Sequence, residues 1–192
     1  MAGKNLSSRS LAKLEIATLE PDDKIAKNFQ FYELFASETA ARQHINNNMT
    51  EDDTLRAAVN LARKVLQPIR DEFGSFSPNS VYRSQALERA LKRKPMSWIS
   101  GSQHTMGCAC DVEIAGVPTL DLAEWASINI AKFDQIICEC YDPRNGPNSG
   151  WVHISMLPPT RHDETRGQLL SYIADPQSGR YIYVNGLQTE LA

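Results

Sequence analysis

The chain has 192 residues, with 20 Lys and Arg against 23 Asp and Glu and a formal charge of −3. That length suits one compact domain that buries roughly 70% of its unfolded surface and leaves no room for two full enzymatic domains. The mild acidity gives no general attraction for nucleic acid or anionic lipid, and the 42% apolar and 22% charged fractions exclude a disordered or fibrous chain.

Met1 to Leu19 interleaves Lys4, Arg9, Lys13 and Glu15 with its apolar residues, so no signal peptide is expected. No stretch reaches the eighteen or so apolar residues that span a bilayer. Residues 1–28 read as an N-terminal extension with one short helix, Ser10 to Leu19, and are a candidate docking arm. From Thr50 a capping-box-like Thr-x-x-Asp predicts a long helix in which Leu55, Ala58, Val59, Ala62, Val65, Leu66 and Ile69 recur at helical spacing. Pro68 predicts a kink or break near Leu66, and Gly74 the end. A short strand is expected over Ser80 to Arg83 and a short helix over Ala86 to Lys92. The basic run Arg89, Lys92, Arg93, Lys94 reads as a solvated face.

A loop from Lys94 to Thr105 delivers His104 to a strand over Gly107 to Ile114, followed by a helix from Asp121 to Ile130 capped by Thr119 or Asp121. Strands over Phe133 to Tyr141 and Trp151 to Ser155 flank a Pro, Asn and Gly-rich loop and should pair as a hairpin. Leu169 to Ile173, the turn Asp175 to Gly179, and Tyr181 to Val184 predict a C-terminal hairpin. Helices and mostly antiparallel strands in separate runs give an α+β fold, a small single domain over residues 29–192 with helices packed around the sheet.

Four cysteines, Cys108, Cys110, Cys138 and Cys140, form two C-x-C pairs in strand-like runs. Free thiols are the expectation, because structural zinc uses wider spacing and a disulfide framework would spread its cysteines over loops. Two of the four histidines stand where neighbouring strands could build a metal site: Ser-Gln-His104-Thr-Met-Gly-Cys-Ala-Cys-Asp111 and Gly-Trp-Val-His153-Ile-Ser. Imidazole, carboxylate and imidazole leave a fourth tetrahedral position open, the arrangement of catalytic zinc. His44 and His162 are read as structural residues.

Strand parity groups Ala109, Asp111 and Glu113 on one face and the cysteines on the other. It likewise turns Glu139 away from Cys138 and Cys140 and toward Trp151, His153 and Ser155, with His153 opposite Glu139 or one residue from it. Glu139 is therefore the expected general base, chosen over Asp134, Asp142 and Glu113. Trp98 and Trp151 are read as packing residues.

Ser80-Val-Tyr-Arg83-Ser, Ser102-Gln-His-x-x-Gly-x-Ala-x-Asp111, Phe133-Asp-Gln-Ile-Ile-x-Glu139 and Trp151-Val-His153-Ile-Ser, in that order from about Phe31 to Leu170, resemble the zinc D-Ala-D-Ala carboxypeptidase family, especially its phage endolysin-like branch. The resemblance implies a small α+β fold with one zinc ion held by His104, Asp111 and His153. It implies Arg83 on the scissile carbonyl, Ser102 touching substrate, and hydrolysis of peptidoglycan stem peptides by a carboxypeptidase or endopeptidase. Many members carry an acidic residue three positions before the last histidine. Here that position is Gly150, so the base must come from elsewhere, and Glu139 matches the acidic residue at the end of the preceding strand.

The resulting expectation is a phage lysis or virion-associated enzyme that works on the cell wall, from the host cytoplasm before lysis or from the particle. Its N-terminal extension is a candidate contact for virion tail or structural proteins, and neither nucleic acid nor a membrane span is expected. The alternative is a virion structural or adaptor protein that reuses the fold with a dormant site.

Overall fold

A computed structural model describes residues 3–175 and 177–188, the side chain of His162 excepted. The His162 imidazole, Pro176 in the predicted turn, and residues 1–2 and 189–192 thus lie outside the described residues. Among the described residues the fold is a small α+β domain. Its helices are α1 (Glu38–Arg42), α2 (Asp52–Leu61), α3 (Gln67–Phe73), α4 (Gln85–Lys92) and α5 (Thr119–Asn129). Its strands are β1 (Ala109–Val112), β2 (Gln135–Glu139), β3 (Trp151–Ser155), β4 (Gln168–Ala174) and β5 (Tyr181–Asn185). They lie in the order β1-β3-β2-β4-β5, antiparallel except for the parallel β2 and β4. Among the described residues no helix is long and apolar enough to cross a membrane.

The period of two sorts each strand into a core side and a site side. Cys110, Val112, Ile136, Cys138, Val152 and Ile154 form the core side, packed with Leu55, Val59, Leu122 and Ala126 in one buried cluster. Each large aliphatic chain so buried contributes about 1.5–3 kcal/mol. The opposite face carries Asp111, Ile137, Glu139 and His153, so core packing fixes which way the chemistry points.

Helix α2 starts two residues after Thr50, with Glu51 extended before it and no side-chain cap. The capping-box expectation fails because Thr50 is not the N-cap and Asp53, the acidic residue of the expected box, pairs with Arg56 at 2.9 Å, while Asp52 Oδ1 accepts the Ile16 N–H at 2.9 Å. Pro68 lacks an N–H and its ring crowds the carbonyl four residues back. A π turn over Ala62–Leu66 takes up that mismatch, and the helical path runs on through α3 to Gly74. Helix α5 begins after Pro118 without a side-chain cap, so neither Thr119 nor Asp121 caps it.

The predicted Ser10 to Leu19 helix is instead two 3-10 turns, Leu11–Lys13 and Ile16–Thr18. Leu14 between them is extended and buries its side chain to 1% exposure, which a continuous helix would not deliver. Leu6, Leu14, Ile25 and Ala26 join the common core, and Arg63 on the π turn donates to the carbonyls of Leu6 and Arg9 at 2.7 Å and of Ile25 at 2.8 Å. Residues 3–28 are thus a packed layer of the domain, and no break in the core falls at residue 28.

Candidate metal centre

Asp111 on β1 and His153 on β3 stand directly opposite each other in the antiparallel register, so both project to the site face. His104 comes from a 3-10 turn, Gln103–Met106, whose N-cap Ser102 accepts the His104 N–H at 3.4 Å. Gly107 ends that turn at φ 67°, where a Cβ would lie 2.5 Å from the Thr54 carbonyl oxygen of α2. The absent side chain lets the His104 turn close onto α2 and enter β1.

The segment expected as a strand over Ser80 to Arg83 makes a single bridge, Ser80 to Asp111. Its remaining backbone groups bond to the core and to the site instead of to a ladder. Tyr82 N–H donates to Leu34 and Arg83 N–H to the His104 carbonyl, while the Val81 carbonyl accepts from His104 Nδ1 at 2.7 Å. A carbonyl can only accept, so the proton sits on Nδ1 and Nε2 is left bare as a metal donor.

Asp111 Oδ1 lies 3.2 Å from His104 Nε2 and 3.0 Å from His153 Nδ1, and the donor atoms of all three residues fall within 4.8 Å of one another. Donors about 2.0–2.1 Å from a tetrahedral metal stand about 3.3–3.4 Å apart, so this buried group could hold a metal ion with a position to spare. Burial lowers the His104 pKa, against the opposing pull of Asp111, and favours the neutral imidazole that metal binding requires. Burial alone would raise Asp111, but His104, His153 and Arg83 outweigh it and hold the carboxylate well below its usual range. The four cysteines are free thiols and, among the described residues, belong to no such group. Burial pushes the Cys108 and Cys138 thiols up to about 12.

His104 and His153 open on a cavity of about 530 Å³ that Arg83, Ser102, Glu139 and Arg166 also line, with Asp111 buried behind the two imidazoles. Glu139 faces Trp151 in the register, and His153 faces Ile137. The expected pairing of His153 opposite Glu139, or one residue away, is therefore corrected to a diagonal one. Such neighbours stand about 7–8 Å apart at the backbone, a span that a glutamate and one water bridge. Gly150 accounts for that register. At φ 70° it sits so close that a Cβ would lie 2.2 Å from the Glu139 carbonyl oxygen, so pairing begins at Trp151. The same contact leaves no space for the acidic side chain that many members of the resembled family carry at this position.

Burial raises the Glu139 pKa and Asp111 adds to the rise, with His153, Trp151 and Arg83 as partial offsets. The rejected candidates stand elsewhere. Glu113 is exposed, Asp142 pairs with Arg144, and Asp134 is buried against Arg166 and Gln103. Arg83 donates from Nε to Ser80 Oγ at 2.8 Å and pairs with Asp111 Oδ2 and, at 3.4 Å, with Glu88. It thus orients a candidate ligand carboxylate while lining the cavity.

Glu88, fully buried, was not singled out by sequence, nor were Arg166, Tyr172 and Tyr183. Lys92, expected on a solvated face, turns into the cavity wall with its Nζ 2.6 Å from Glu88, because that buried carboxylate needs a counter-charge. Parity on β4 and β5 could have found both tyrosines, since Glu139, Tyr172 and Tyr183 form one row across the sheet. His44 is an exposed turn residue at φ 53° and takes no part. No family model matches the chain, and no curated protein sequence matches it.

Proposed function

We propose that the protein is a zinc-dependent peptidase that hydrolyses peptidoglycan stem peptides, of D-Ala carboxypeptidase or endopeptidase type, in a phage lysis or virion-associated setting. One observation carries this reading: the bare Nε2 of His104 converges with Asp111 and His153, and both imidazoles line the same cavity as Glu139. Two imidazoles and one carboxylate suit zinc, and the substrate class comes from the motif resemblance. When bound, zinc supplies Lewis-acid polarisation of the scissile carbonyl and makes water acidic enough to react near neutral pH.

The chain's own groups do the rest. Glu139 accepts the proton of the attacking water and returns it to the leaving amine, two duties for which a raised carboxyl pKa is suited. Arg83 offsets the negative charge that develops on the carbonyl oxygen, and Ser102 holds the substrate backbone at the cavity rim.

The test is Glu139→Gln. Release of amino groups from purified peptidoglycan should fall about 10²- to 10⁴-fold, while zinc content is unchanged because Glu139 is not a ligand. Full activity in the variant would remove Glu139 from the reaction. Zinc in the parent without any amine release would favour the dormant adaptor.

A further inference from the structure

Three cations line the cavity, and each pairs with a carboxylate. Arg83 is held by Asp111 and Glu88, and Lys92 by Glu88. Arg166 differs. Its Nε lies 3.1 Å from both carboxylate oxygens of Asp134, and its Nη2 also pairs there. Among the described residues, no hydrogen bond involves its Nη1, and half of its side chain is exposed.

A guanidinium carries five N–H donors in a rigid fork. Asp134 takes one edge and, among the described residues, leaves the Nη1 and Nη2 edge unclaimed on a side chain that lines the cavity.

Asp134 is built to hold that fork still. It is 1% exposed, and its Oδ1 also accepts the Arg166 backbone N–H at 3.0 Å. Its Oδ2 accepts from Gln103 Nε2 at 2.9 Å, and Gln103 is the chain neighbour of His104. One buried carboxylate therefore ties the orientation of Arg166 to the turn that carries a candidate metal ligand. A fixed, half-free guanidinium at a set distance from a reacting centre is the arrangement that receives a carboxylate in two parallel hydrogen bonds.

We propose that Arg166 is the specificity residue of this cavity, with its free edge binding a carboxylate of the stem peptide and Asp134 acting as its positioning residue. This rests on the peptidase reading of the same site. A stem peptide offers that chemistry at two places, its C-terminus and the α-carboxylate of its D-glutamate.

The experiment uses the stem pentapeptide L-Ala-γ-D-Glu-L-Lys-D-Ala-D-Ala, its C-terminal amide, and the analogue with D-isoglutamine in place of D-glutamate. They are compared on the full-length protein and on Arg166→Gln. The parent should lose about 10- to 100-fold in kcat/KM when the recognised carboxylate is amidated. Arg166→Gln should show the same loss on the acid peptide and little further loss on that amide. Which amide behaves so names the carboxylate.

If none of the peptides is hydrolysed, the peptidase reading fails. The carboxylate site is then decided separately, by the ratios of Kd from calorimetric titration of the same three peptides. A parent indifferent to both amidations, or an Arg166→Gln variant that weakens all three peptides equally, would overturn the proposal. Should Arg166→Gln not fold, Arg166→Lys keeps a charge on Asp134 but removes the fork, and should lower the acid-to-amide ratio in the same way.

Discussion

Gly150→Ala isolates the contact that sets the register between β2 and β3. The new Cβ would lie 2.2 Å from the Glu139 carbonyl oxygen and 2.7 Å from both Cys140 C and Tyr141 N, all backbone atoms. Ordinary contact begins at 3.4 Å, so the strand ends must part by 3.4 − 2.2 = 1.2 Å. The left-handed backbone, φ 70°, costs a side-chain-bearing residue about 1–2 kcal/mol. Forcing the strands apart adds about 1–3 kcal/mol. The expected loss is therefore about 2–5 kcal/mol, read as a lower urea midpoint with an unchanged slope.

Because the displaced backbone includes Glu139 itself, amine release should fall along with stability. Metal content should persist, since the ligand row at Asp111 and His153 lies two residues farther along the strands. A stability change under about 0.5 kcal/mol, the range of an inert surface substitution, would refute the packing argument for this glycine.

Arg63→Ala removes three hydrogen bonds to the N-terminal layer and leaves the Arg9 and Ile25 carbonyls without a donor among the described residues, while Leu6 keeps the Arg9 N–H, and should destabilise by about 2–4 kcal/mol in urea unfolding. An unchanged midpoint would mean that residues 3–28 add nothing to the fold. Asp134 makes an acid-stability prediction. Burial would raise its pKa, but Arg166 and Gln103 outweigh burial and hold it below the ordinary 3.8. Stability from this group is thus present above pH 3.8 and lost as pH falls through the lower folded value. Asp134→Asn should flatten that part of the stability curve, and an identical acid limb in the variant would contradict the assignment. Zinc at a thousandfold excess over its Kd should stabilise the parent by about 4 kcal/mol, and chelator should reverse the rise in Tm.

The α+β class, the central hairpin and the convergence of His104, Asp111 and His153 were legible because they rest on period-two burial and on residue chemistry. The same parity put Glu139 on the site face with Cys138 behind it, but it failed for Cys140, which leaves the strand path at φ 56° and turns its thiol to Tyr181 instead of the core. It could not give the register, which depends on how closely Gly150 approaches a backbone carbonyl. The Ser80 to Arg83 segment looks like a strand by composition. Its carbonyls and amides are instead drawn to His104 and Leu34, a tertiary demand that local sequence does not record.

The Leu11 to Thr18 region misled for a related reason: burying Leu14 outweighs a weak helical preference. Arg166 escaped notice because it owes its place to a long-range ion pair with Asp134, for which spacing carries no signal, whereas Glu88 could have been found from Lys92, four residues on along α4.

The central claim is that these three residues hold a catalytic metal, and elemental analysis of the purified protein beside His153→Ala tests it most directly. The account predicts one zinc ion per chain in the parent, lost in the variant together with amine release from peptidoglycan. A parent without bound metal, or a variant that keeps it, would contradict the account.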